Sequence, residues 1–327
     1  MYRSVFPSAG LWVSLGALAL IDAVAMAVCG FRIAGYAAVP ILAVSAGAAA
    51  LGYIYSTVRP DERLAALCFG AAYLIAYTLA GALLSYVGTS LNLPLLDAQF
   101  ARLDAAFGFD WMAVLEFTDR WSMLGTFLRT VYFTCMPQIV GVFLVLAATR
   151  QLTRLDDFIF LFTATSLVIV VLSSLLPAAG AFVFHNPPAA LRDVVGHDAG
   201  IWHLKHFEAL RSGAMRAIDP GAIEGLVTFP SFHAALAVIT AWAFWRTRFL
   251  AYPVLALNAV VIVSAVPVGG HYFIDIIAGL AIAAVALAVN AWRRGTFTLD
   301  IWARTWQLAV VRPMATLRAI ALQFART

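Results

Sequence analysis

The chain has 327 residues, of which 63% are hydrophobic and only 12% charged, with a mean hydropathy of +0.90. A soluble domain carries about 25% charged residues, so the composition excludes a water-soluble globular protein and leaves a polytopic, all-α helical membrane bundle. The formal net charge of +4 does not indicate a nucleic-acid partner, because the basic residues fall as pairs beside apolar runs and not as a patch on a soluble domain.

A bilayer core about 30 Å thick takes about 20 apolar residues per helix. Runs of that kind predict about eight transmembrane helices, near 9–31, 35–57, 64–88, 124–148, 155–177, 231–248, 251–267 and 271–292. The last three are short and tightly connected, as in tilted or partly re-entrant helices. The first run follows Arg3 and has the outline of a signal peptide, but its length, the interruption at Asp22 and the lack of a small-residue cleavage site favour a retained helix. Asp22 inside that span is read as hydrogen-bonded to a neighbouring helix or protonated. Cys29, Cys68 and Cys135 all fall within spans, where a thiol packs as a small apolar group.

Two long segments interrupt the short connections. In residues 89–123, Leu95, Leu96, Phe100, Leu103, Phe107, Trp111, Leu115 and Phe117 recur at helical spacing against Asp97, Asp104 and Asp110. This predicts amphipathic helix in the interface, either as a brace packed on the bundle or with its acidic edge on a polar headgroup. Residues 178–229 hold His185, His197, His203, His206, Lys205, Arg211 and Arg216. Beyond the last span, Trp302, Trp306, Leu308, Val310 and Leu317 alternate with Arg304, Arg312 and Arg318, which predicts a basic amphipathic helix on the cytoplasmic leaflet. The expected organisation is two N-terminal helices (1–63), a six-helix core (64–292) and a cytoplasmic tail (293–327).

Cytoplasmic loops accumulate Arg and Lys. With the N-terminus inside, one side holds 13 basic and 5 acidic residues, and the other 7 basic and 10 acidic. Both termini are therefore expected in the cytoplasm. Every histidine, together with Lys205, then falls on the outer side.

Two stretches place ionisable residues where a membrane helix begins: Pro230-Ser231-Phe232-His233 and Gly269-Gly270-His271-Tyr272-Phe273-Ile274-Asp275. Asp275 follows His271 by four residues, so on a helix its carboxylate would fix one ring nitrogen and leave the other as a nucleophile. His233 would protonate a departing alkoxide and then serve as base toward the incoming hydroxyl. Ser231 could donate its hydroxyl to a bound phosphate, and the backbone at both helix starts, opened by Gly269 and Gly270, could cradle it. Arg129, about one turn inside the fourth span beside Tyr132, is the candidate cation for the phosphate, with snorkelling to the interface as the alternative. Arg211 is a weaker one, as is Arg216.

By these residues the chain resembles the type 2 phosphatidic acid phosphatase (PAP2) superfamily. Its second motif, usually P-S-G-H, here reads P-S-F-H, and its third, H-x-x-x-D, reads H-Y-F-I-D. The resemblance runs from about residue 64 to 292. The first motif, K-x-x-x-x-x-x-R-P, is absent: Lys205 has Ser212 at the arginine offset, and Arg59-Pro60 has Gly52 at the lysine offset. The arginine normally found six residues before the nucleophile is Ala265. With T-F-P-S-F-H-A-A and G-G-H-Y-F-I-D, the chain is similar to the branch containing inositol phosphorylceramide synthases and their bacterial relatives. That resemblance implies transfer of a phospho-headgroup from a phospholipid donor to a lipid alcohol such as ceramide, with no metal or other cofactor, on the periplasmic face of a bacterial inner membrane. Lipid phosphatases, with water as acceptor, share the motifs. A non-catalytic lipid-binding or transport protein using the same groups is the reading from another class, and a metal site of His233, His271 and Asp275 is a third. The sequence fixes neither donor, acceptor nor oligomeric state.

Overall fold

The structure is a computed structural model, described here for residues 6–295 except 122, 197 and 198. The predicted tail helix from 296 onward and His197 lie outside the described residues. The chain falls into two compact units, residues 1–284 and 285–327. Of the second unit, the described part is the end of the last helix and the turn after it.

Helix α1 (Ala9–Cys29) ends at Gly30, whose φ of 70° turns the chain out of the helix. A two-residue strand β1 (Arg32–Ile33) then leads into α2 (Ala38–Thr57) and the long α3 (Glu62–Thr89). Asp61 starts α3 by accepting the N–H groups of Arg63 and Leu64. The first outer segment forms α4 (Asp97–Ala106) and α5 (Trp111–Asp119), the latter capped by Asp110 on Ala113 N–H. The fourth apolar segment is broken into α6 (Leu124–Phe133) and α7 (Pro137–Ala148), bent by 50°. Pro137 has no N–H to give, so it can begin a helix but not continue one.

Helix α8 (Leu152–Leu175) follows, then three short helices within the second long segment: α9 (Ala181–His185), α10 (Ala189–Asp193) and α11 (Leu204–Arg211). Strand β2 (Ala217–Ile218) pairs in parallel with β1, which ties the outer segment to the end of α1. The chain closes with α12 (Phe232–Phe244), α13 (Ala251–Ser264) and α14 (Phe273–Arg293).

Helices α1, α2, α3, α8 and α14 are long and apolar enough to cross a bilayer, and the bent α6–α7 pair passes the same test only when taken together, as a broken span or a re-entrant loop. The remaining two expected spans, α12 and α13, are helices of 13 and 14 residues. At 1.5 Å per residue they measure about 20 Å, less than a bilayer core. Helix α3 is central to this unit, packing on α1, α2, α7 and α8. Outside those contacts the helices leave large side chains bare, among them Val13, Leu20, Val28, Leu42 and Tyr53. Apolar surface on this scale is untenable in water. The molecule is an integral membrane protein.

Two of the three acids of the first long segment are turned inward: Asp97 and Asp104 are buried and Asp110 is exposed. The apolar residues divide as well, with Phe100, Trp111 and Leu115 buried and Leu103 and Phe107 exposed. The buried carboxylates accept backbone N–H groups of the unit. The segment is thus a brace, and its two buried acids are not free to meet a headgroup.

Candidate active site

The two histidines singled out by the sequence meet. His233 sits in the first turn of α12, which Ser231 caps through Ala234 N–H at 3.3 Å. His271 lies in the turn just before α14. Their ring centroids are 6.3 Å apart, and both border one cavity of about 530 Å3. The starts of α12 and α14 are locked together by a bond from Ser231 N–H to the Asp275 carbonyl. Gly279 makes this possible, because a Cβ there would overlap the Ser231 carbonyl oxygen.

The Asp275 carboxylate lies 3.3 Å from His271 Nδ1 and also accepts Tyr272 N–H at 2.9 Å. The contact differs from the expected pairing along a helix face: His271 precedes the helix, and Asp275 reaches back to it from the first turn. The chemistry is unchanged. A carboxylate acceptor assigns the ring proton to Nδ1 and leaves Nε2 with a free lone pair.

His233 is stacked on Tyr132 with ring centroids 4.2 Å apart, and its Nδ1 lies 3.2 Å from the Tyr132 hydroxyl. That hydroxyl can accept the Nδ1 proton, so Nε2 is free to give up a proton and take it back.

The other expected site residues fall differently. Ser231 is fully buried as the cap of α12. Gly270, at φ +69°, approaches the Gly200 backbone, and its carbonyl accepts Ala181 N–H at 2.9 Å; its closeness serves packing of the outer loop. Gly269, not Gly270, borders the cavity. The backbone at the start of α14 is not open to phosphate either. Asp104 accepts Phe273 N–H at 2.8 Å and Ile274 N–H at 2.9 Å, and Asp275 takes Tyr272 N–H.

Arg129 is exposed, lies against the Phe133 ring at 5.9 Å and packs beside Gly196. Arg211 donates to the Leu93 carbonyl at 2.9 Å and covers the Phe207 ring in a separate pocket. Arg216 donates to the Cys29 carbonyl. No Lys or Arg lines the histidine cavity among the described residues.

Several functional neighbours have no motif to announce them. Asp97 accepts Ala179 N–H at 3.0 Å, and Gly180 N–H and the Tyr272 hydroxyl at 2.9 Å each. It thereby joins α4 to the residue next to His271. His203 borders the cavity, and its Nε2 lies 3.2 Å from the Ala179 carbonyl. A carbonyl only accepts, so Nε2 carries the proton there. Burial pushes the His203 imidazole down to about 4 against that hydrogen bond. Glu224 also lines the cavity. His185 stacks on Trp111 with centroids 5.2 Å apart, and burial lowers its pKa while Asp104 and Asp110 oppose the shift.

The cavity walls are largely apolar, from Ala82, Met136, Phe162, Ile169, Trp202 and Phe232. Phe133 and Met136 on its border are also exposed on the flank of the bundle. Among the described residues no three His, Cys, Asp or Glu side chains converge as a metal-ligand set.

No curated protein and no solved structure matches the chain. Residues 98–289, more than half of the chain, match the PAP2 superfamily, and this stretch contains both histidines, Asp275, Tyr132 and all of the α4–α5 brace but Asp97. The chain belongs to the PAP2 superfamily.

Proposed function

We propose that the protein is a lipid phosphotransferase that moves a phospho-headgroup from a phospholipid to a lipid alcohol through a phosphohistidine on His271, as in inositol phosphorylceramide synthases. Membership of the superfamily carries the coarser statement, an enzyme of the phosphatase and phosphotransferase type acting on lipids. The observation that supports the finer one is the pair of histidines 6.3 Å apart on a cavity with mainly apolar walls, bordered by the exposed apolar side chains Phe133 and Met136.

In the first half-reaction His271 Nε2 attacks phosphorus, a P–N bond forms and the P–O bond to diacylglycerol breaks. His233 gives its Nε2 proton to the departing alkoxide. In the second, His233 takes the proton of the acceptor hydroxyl as its oxygen attacks phosphorus. The P–N bond then breaks and His271 is restored. Asp275 holds the tautomer of His271, and Tyr132 orients His233. Water in place of the lipid alcohol gives the phosphatase reaction with the same groups. Arg129, Ser231 and Gly270 remain proposed contributors to phosphate binding, Arg129 by swinging from its exposed position. The proposed catalytic core is residues 64–292, with both termini cytoplasmic and the histidines on the extracytoplasmic face.

The acceptor is tested with purified protein and a donor lipid labelled at phosphorus, in the presence of a long-chain lipid alcohol. Transfer predicts label on the second lipid with a matching release of diacylglycerol. Label appearing only in water would replace the transferase by the phosphatase.

A further inference from the structure

We propose that Glu224 selects the donor lipid. Its carboxylate receives hydrogen bonds from the hydroxyl or ammonium groups of a phosphodiester headgroup in the histidine cavity, and it disfavours the dianionic phosphate of a phosphomonoester lipid. The inference rests on the lipid phosphotransfer reading above and names the substrate class of the same site.

The charge of the cavity is the first ground. Glu224 is the one acidic side chain among the described residues that line it, and no Lys or Arg offsets it there. Repulsion grows with the product of the charges, so a phosphomonoester dianion meets about twice the opposition of a diester monoanion. A cation-free cavity with a fixed carboxylate therefore suits a singly charged diester.

The second ground is a carboxylate with one free side. Glu224 Oε2 is buried 3.8 Å from His206 Nδ1, an ion pair when that ring is protonated, while the side chain as a whole is 38% exposed. His206 Nδ1 is bonded to the Tyr86 hydroxyl at 2.8 Å, which holds this end of the carboxylate in place. The oxygen turned from His206 is the one that a headgroup donor can reach, and a charged acceptor there makes a strong hydrogen bond.

The third ground is that the residue is held in place. Glu224 N–H donates to the Tyr86 hydroxyl at 2.8 Å, and Tyr86 is buried on α3. A carboxylate on an anchored backbone reads position as well as charge, as selectivity requires.

The experiment measures binding of labelled phosphatidylinositol, phosphatidylethanolamine and phosphatidate to full-length protein in detergent micelles, in a His271→Ala background that blocks turnover. The expected result is preference for at least one of the two diesters over phosphatidate by about tenfold, falling to about threefold or less with Glu224→Gln and reversing with Glu224→Lys. The inositol and ethanolamine arms tell hydroxyl from ammonium recognition. Glu224→Gln keeps the side chain's shape, so it decides the matter if the lysine variant does not fold. Equal retention of all three lipids by the parent, or a ratio that Glu224→Gln leaves unchanged, overturns the proposal. Failure of the phosphotransfer reading looks different: the unmodified protein would turn over none of the lipids while the binding ratio stood.

Discussion

At the scale of single residues, the proposed division of labour between two imidazoles rests on their partners. His271 faces a carboxylate and His233 a hydroxyl, so one ring has its proton pinned to Nδ1 while the other keeps a partner that tolerates proton exchange at Nε2. Replacing Tyr132 by Phe removes the orienting hydroxyl and keeps the stacked ring. We expect kcat to fall about tenfold with KM nearly unchanged, a loss confined to proton transfer, and a shifted pH–rate profile checks it. A KM effect alone would make Tyr132 a binding residue instead. His233, His271 and Asp275 were legible in the sequence because the spacing of the two motifs survives any detail of the backbone between them. Glu224 and His203 were not, since only folding brings a loop carboxylate and a loop imidazole to the same cavity. At Gly270 a close backbone approach is legible as glycine, but the group approached is not. Here it is Gly200.

At the scale of elements, sequence patterning offered the brace as one of two readings of the α4–α5 segment, but not the inward turn of two of its acids. Alternation of acids and apolar residues usually means acids toward water, yet Asp97 and Asp104 point inward because backbone N–H groups at the 178–181 turn and at the start of α14 need acceptors. Asp104→Ala strips two such groups at once and should cost about 1–3 kcal/mol, read as a lower melting temperature of the purified protein. Asp119→Ala, at the exposed end of α5, serves as the control and should leave it unchanged. The outer loop carries a pH dependence with a definite sign. His203 titrates near 4 in the fold against an ordinary value of about 6.5. The fold thus favours its neutral form, and this contribution is complete above about 6.5 and is lost as pH falls toward 4. Melting curves at pH 7.5 and 5 should differ, and His203→Asn should shrink the difference. An unchanged pH slope in that variant would remove His203 from the account.

At the scale of the whole molecule, an all-α membrane bundle was readable because continuous apolar runs of about 20 residues span a bilayer as helices, whereas barrel strands alternate apolar and polar residues. All eight apolar segments are helical, but hydropathy does not register the break at Pro137, which follows from its missing N–H, or the brevity of α12 and α13. The account needs no metal, so activity on lipid phosphates should survive EDTA at full rate, whereas loss on chelation and rescue by a divalent cation would point to metal chemistry. The central claim is the covalent intermediate. Full-length protein is mixed with donor lipid labelled in the phospho-headgroup, quenched within one turnover and digested under alkaline conditions that spare phosphohistidine. The prediction is an acid-labile label on the peptide containing His271, trapped more strongly with His233→Ala if acceptor attack is slowed more than formation, and absent with His271→Ala. Catalytic turnover by the His271→Ala protein at the parent rate, or label that sits on any other residue, would contradict it.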